Sequence, residues 1–187
     1  MEKKSVSGKK ATYTALCVIP PNELWPEIQN IRSLHDPAYA RWMPHINMAF
    51  PFLPPEEFDI GAELLQNELK DFPAFKIKFN ELGYFAHGKK GILWTKPEVE
   101  ANELVELENR IVKVFPFLDD LTKKSESGFS AHLTLGNFDT KVIEKKKTEF
   151  QQTWTPKEFM MNELNIIKRD GQTTPFYIVK TIPLKIA

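Results

Sequence analysis

Between Thr12 and Leu184 the chain alternates short apolar runs with stripes of apolar residues at helical spacing. "TYTALCVIP" reads as a strand, and "PNELWPEIQNIRSL" as a helix with Asn22 at its N-cap and Leu24, Ile28, Ile31 and Leu34 along one face. "HINMAFPF" is a second strand, stopped by Pro54 and Pro55. "PEEFDIGAELLQNELKDF" follows as an amphipathic helix opened by a proline and two glutamates, which suit the positive end of its dipole. "FKIKFNELGYFAHGKKGILWTKP" alternates apolar and polar residues about the turn "HGKKG" and predicts a hairpin. "PEVEANELVELENRIVKVF" predicts a third helix, with Leu104, Leu107, Ile111, Val114 and Phe115 as a core-facing stripe, and "PFLDDLTKKSESG" a polar loop. "HLTLGNF" is a further strand and "TKVIEKKKTEFQQTW" a short helix with Lys145 to Lys147 on its solvated face. "EFMMNELNIIKRDGQTTPFYIVKTIPL" closes the chain as a hairpin about "RDGQ".

No Pro- or Ser-rich linker divides this order. It predicts an α+β fold of two pseudo-symmetric lobes, mostly antiparallel sheet with outer helices, meeting at a cleft. The expected organisation is a mobile polar tail over residues 1–10, carrying four lysines, and one two-lobed domain over 11–187. A length of 187 residues suffices for one such domain to bury a core of its own.

Composition narrows the classes of function. Lys and Arg total 25 and Asp and Glu total 25, so no overall field attracts long polyanions, and duplex DNA is not an expected partner. A local basic pocket for one phosphate remains open. The one cysteine, Cys17, sits in an apolar run and reads as a buried small hydrophobe. No signal-peptide or membrane-spanning run is present, so the expectation is a cytoplasmic monomer without membrane contact.

Candidate chemistry comes from two strands. Side chains at i and i+2 of a strand share a face, so His45 projects with Asn47, and His132 with Thr134, while Ile46, Met48, Leu133 and Leu135 point into packing. Either pair alone is commonly structural. Both lie on apolar strands, each with an aromatic behind it (Phe50 and Phe138), in matching positions of the two halves. Two imidazoles and two neutral hydrogen-bonding groups suit in-line attack at phosphorus without a metal or other cofactor. One neutral histidine takes the nucleophile's proton, a protonated one gives a proton to the leaving oxygen, and Asn47 and Thr134 donate to the non-bridging oxygens.

The motifs "HINM" and "HLTL" resemble the paired His-x-Thr/Ser motif of the two-histidine phosphoesterases, which include 2′-5′ RNA ligase-like proteins and cyclic phosphodiesterases. The resemblance extends in element order from about Thr12 to Leu184. It implies a bilobal fold with the motifs facing across a cleft, His45 and His132 as the acid and base pair, and Thr134 as a phosphate-oxygen donor. Asn47 departs from the commoner threonine or serine. The implied substrates are nucleotides or RNA ends bearing a 2′,3′-cyclic phosphate or a 2′-5′ linkage.

Trp42, Phe50, Phe85 and Trp94 are candidates for stacking on a base, and Arg41, Lys89, Lys90 and Arg169 for holding phosphate; His35 and His87 receive no role. A zinc hydrolase lacks support, because there is no His-Glu-x-x-His, no cysteine pair and no carboxylate within either motif. There is no G-x-S-x-G for a serine nucleophile and no phosphate-binding glycine loop. The competing reading is a module that binds a nucleotide or RNA end in the same cleft without turning it over.

Overall fold

The computed structural model describes residues 4–186. Eight strands, β1 (Thr14–Val18), β2 (Ile46–Ala49), β3 (Phe75–His87), β4 (Lys90–Glu98), β5 (Leu133–Asp139), β6 (Lys157–Met161), β7 (Glu163–Lys168) and β8 (Tyr177–Pro183), form one sheet in the order β6-β3-β4-β5-β2-β1-β7-β8. Every neighbouring pair is antiparallel. The helices are α1 (Trp25–His35), α2 (Phe58–Leu69), α3 (Glu103–Val114), α4 (Asp120–Lys123) and α5 (Ile143–Thr153). The fold is the expected α+β, and its two lobes are four-stranded halves of a continuous sheet. Only Ile46 and Leu133, on β2 and β5, pair across the seam.

Helices cover one face of this sheet. α1 and α5 pack on the β3-β4-β5 half, α2 and α3 on the half that holds β2 and β8. The main core, with Ile46, Met48, Leu133, Leu135, Leu107, Ile111 and Phe115 all buried, lies between sheet and helices. The approach of α1 to β5 is close enough to require Gly136, where an added Cβ would sit 2.6 Å from the His35 Cβ and 3.2 Å from its backbone. A helix backbone cannot yield as a side-chain tip can, so Gly136→Ala is expected to cost about 1–3 kcal/mol, read as a lower urea midpoint. His35 is thereby a packing residue, its ring 4.7 Å from that of Phe138.

Four expectations are corrected. Asn22 is not a helix cap: it begins a 3-10 turn, Asn22–Leu24, and α1 starts at Trp25 with Pro26 in its first turn and no side-chain cap. The buried face of α1 carries Ile28, Ile31 and Arg32, at helical spacing, so Leu34 rotates out and is 78% exposed. The loop after α3 contains α4. The terminal segment is three strands, because β6 pairs with β3 in one lobe and the chain then crosses at Asn162 to the β7-β8 hairpin in the other.

Within the tail expected over residues 1–10, Lys4 pairs with Glu63 at 2.6 Å, Lys10 with Asp120 at 2.7 Å, and Val6 packs on the core. Residues 1–3 of that tail are outside the described residues. Among the described residues no helix is long and apolar enough to cross a membrane.

Candidate active site

The seam pair fixes the site. Ile46 and Leu133 are fully buried toward the helices. Alternation therefore turns their neighbours His45, Asn47, His132 and Thr134 to the opposite face. Extending the antiparallel register of that one pair sets His45 opposite Thr134 and Asn47 opposite His132, with the two histidines on a diagonal. A local two-fold axis through the seam pair relates one motif to the other. The strands supply Ile46–Ala49 and Leu133–Asp139, so each histidine sits one residue ahead of its strand.

The two imidazoles are held alike. His45 Nδ1 donates to the Met43 carbonyl at 2.7 Å, and His132 Nδ1 donates to the Ser130 carbonyl at 2.9 Å. A carbonyl can only accept, so each ring is fixed as the Nδ1–H tautomer when neutral, and each Nε2 keeps its lone pair. Aromatic rings hold their planes. Trp42 stacks on His45 at 4.4 Å and is buttressed by Phe50 and Phe176, while Phe85 meets His132 edge-on at 5.0 Å with Trp94 behind it.

Burial pushes the His45 pKa down to about 4, opposed by the Met43 hydrogen bond and reinforced by the charges of Arg32 and His132. Burial also lowers the His132 pKa, with the Lys124 charge adding to the effect. Both rings are accordingly neutral at pH 7, and an anion between them favours protonation of one.

Asn47 and Thr134 complete the ring of polar groups. The Cys17 thiol donates to Asn47 Oδ1 at 3.2 Å, which leaves the amide N–H groups as the donors available on the open face. Burial raises the Cys17 pKa well above the usual thiol range, so it orients Asn47 as a neutral thiol. Trp94 is paired across the strands with Thr134 and lies over Gly83, where a Cβ would come within 2.3 Å of its ring. Its indole N–H is buried without a hydrogen-bond partner in the described residues.

The structure thus brings His45, His132, Asn47, Thr134, Trp42, Phe50, Phe85 and Trp94 to one region. Arg41 and Arg169 line a separate pocket on the same side, and Lys89 and Lys90 sit exposed at the β3-β4 turn. Two contributors were not predicted. Arg32 is 1% exposed, donates Nη2 to the Trp42 carbonyl at 2.8 Å, and pairs through Nε with Asp36 at 2.9 Å. Its i,i+4 spacing to Asp36 on an apolar helix face was the available signal. Phe176, which seats Trp42 from the far end of the chain, had none. Among the described residues no three His, Cys, Asp or Glu side chains are grouped to hold a metal ion.

The model of the 2′-5′ RNA ligase superfamily matches residues 20–173, and no curated protein matches the chain in sequence. Among solved structures, Escherichia coli LigT complexed with 3′-AMP is similar at 16% identity and a TM-score of 0.62, covering 94% of this chain and 99% of that one. LigT complexed with ATP is similar at 16% identity and a TM-score of 0.59, covering 91% and 96%. The protein TT0787 of Thermus thermophilus is similar at 12% identity and a TM-score of 0.59, covering 91% and 97%. At these identities the likeness concerns the fold.

Proposed function

The chain belongs to the 2′-5′ RNA ligase superfamily, and from that membership and the paired imidazoles we propose a metal-independent phosphodiesterase acting on 2′,3′-cyclic phosphates or 2′-5′ linkages of nucleotides or RNA ends. The observation that carries this reading is the matched pair of Nδ1–H tautomers, His45 on Met43 and His132 on Ser130, related across the seam. One Nε2 accepts a proton from water as its oxygen attacks phosphorus. The other, protonated, gives its proton to the departing ribose oxygen as the phosphorus–oxygen bond breaks. Asn47 and Thr134 donate to the non-bridging oxygens, where negative charge builds. The ligands named with LigT, 3′-AMP and ATP, make a nucleotide a fitting occupant of the corresponding face here.

Hydrolysis of a nucleoside 2′,3′-cyclic phosphate and a 2′-5′ dinucleotide, measured in chelator, tests the reading. Turnover of either supports it. Loss of activity on chelation would return a metal hydrolase to contention, and binding without turnover would favour the binding module.

The lowered pKa values give the pH dependence a sign. The free enzyme is productive only with one imidazole protonated, and that fraction falls about tenfold per pH unit above the higher of the two pKa values. Both are lowered from 6.5, His45 to about 4. Thus kcat/KM is expected to decline as pH rises from 6 to 8, and to fall again near pH 4 as the second ring takes its proton. The bound phosphate raises both values, so the kcat profile lies to the alkaline side of the kcat/KM profile. A kcat/KM that is flat from pH 5 to 8 would count against two-histidine catalysis.

A further inference from the structure

Beside the candidate active site lies a second opening of about 440 Å³, between the start of β1 and the β7-β8 turn, lined by Thr12, Tyr13, Arg41, Arg169, Asp170 and Gln172. Tyr13 accepts a backbone hydrogen bond from Arg169, and Ala15 pairs with Ile167. By strand alternation Arg169 therefore shares the face of Ile167, Ala15, Cys17 and Asn47. The opening and the histidines are on one side of the sheet.

Its two arginines are not ion-paired among the described residues. Among the described residues the ion pairs made by arginine belong to Arg32 and Arg110, and neither Arg41 nor Arg169 has one. The one carboxylate of the lining, Asp170, already pairs with Lys168 at 3.4 Å and accepts from Tyr177 Oη at 2.9 Å. Arg169 is built into place: Nη1 donates to the Gln172 carbonyl at 2.9 Å, the guanidinium lies 5.2 Å from the Phe176 ring centre, and Nε is buried with no partner among the described residues. Two guanidiniums that make no ion pair, one of them stacked and partly desolvated, make a site for a phosphate.

The same groups tie the opening to the reaction centre. Arg169 stacks on Phe176, Phe176 lies 4.0 Å from Trp42, and Trp42 lies 4.4 Å from His45. Arg41 immediately precedes Trp42, and its carbonyl accepts from the Phe176 N–H at 2.7 Å. The separation is within the reach of a short oligonucleotide.

We propose that Arg41 and Arg169 form a second phosphate subsite, so that the preferred substrate carries another phosphate on the nucleotide side of the scissile group. This rests on the phosphodiesterase reading above. The test uses matched pairs, a nucleoside and a dinucleoside 2′,3′-cyclic phosphate, each with and without a 5′-phosphate. In the wild type the added phosphate is expected to raise kcat/KM by about 10- to 100-fold in at least one pair. Arg169→Gln and Arg41→Gln are each expected to shrink that ratio to below about threefold, with Arg169→Lys in between because it keeps charge and loses the planar fork. Arg41 has no stacking partner among the described residues, so its variant decides the matter if Arg169→Gln folds poorly.

A ratio near one in both pairs, or a ratio unchanged by either replacement, would overturn the subsite. Stimulation of the unphosphorylated compounds by inorganic phosphate would assign the pocket to a free ion and overturn the substrate reading. If no compound is turned over, the phosphodiesterase reading fails by itself. Calorimetric affinities of the same pairs for His132→Ala protein still decide the subsite, which predicts a tighter phosphorylated member and the loss of most of that advantage in each arginine variant.

Discussion

Replacement of His45 or of His132 by alanine is expected to lower kcat/KM for hydrolysis in chelator by about 10²–10⁴-fold, and replacement of both by little more than the worse single loss. The non-additivity follows from the arrangement. In the proposed reaction the two rings serve opposite ends of one displacement, so removing either proton carrier leaves the other with half a reaction to assist. A donor ring made by Asn47 and Thr134 survives in each variant, and some turnover above water should persist. Full additivity would instead mean that the histidines act in separate steps. Unfolding midpoints accompany the rates, since His45 also packs on Trp42 at 4.4 Å; a rate loss with an unshifted midpoint assigns the effect to chemistry.

The largest expected loss of stability belongs to Arg32. Each nitrogen of its guanidinium is engaged, by Asp36, Gln29 and the Trp42 carbonyl, at 1% exposure. Burial lowers its pKa and Asp36 opposes that shift, the mark of a charge held inside by its partner. Arg32→Met leaves the Asp36 carboxylate, at 5% side-chain exposure, without its cation. The expected cost is about 3–5 kcal/mol by urea denaturation. Arg32→Met combined with Asp36→Leu should recover much of it, because the desolvated charge is then gone. Both variants lose the donor to Trp42, so neither regains the seating of that ring on His45, and kcat/KM should remain depressed in the double variant while stability returns. Parallel recovery of both would limit Arg32 to a structural role.

These two cases mark what the sequence discloses. The histidine motifs were legible because strand alternation is a local rule: His45 with Asn47 and His132 with Thr134 follow from spacing alone, and two apolar strands identify the face that turns inward. The bilobal order was legible for the same reason, element by element. Hydropathy alone puts Leu34 rather than Arg32 on the buried face of α1, because leucine is the more apolar. Only the docked helix shows that the stripe runs through position 32, where a paired cation replaces a hydrophobe. The pairing of β6 with β3 before the chain crosses to the other lobe, the arrival of Phe176 under Trp42, and the meeting of Arg41 with Arg169 depend on contacts between distant segments. Nothing in local periodicity encodes them.

The two-fold relation at the Ile46–Leu133 pair bears on polarity. A phosphodiester has a sense, running from one ribose oxygen to the next, whereas a pair of like-held imidazoles related by a dyad has none. Turned end for end, the strand would meet a histidine, a neutral donor and an aromatic in the same sequence. Such a centre is as suited to one direction of travel as to its reverse, and to the forward reaction as to its return. Polarity must therefore be written off the axis, in what differs between the halves: an amide against a hydroxyl, a stacked Trp42 against an edge-on Phe85, and arginines on one flank only. Exchanging those outlying features, with the central pair left intact, is how such a scaffold would come to read its chain backwards.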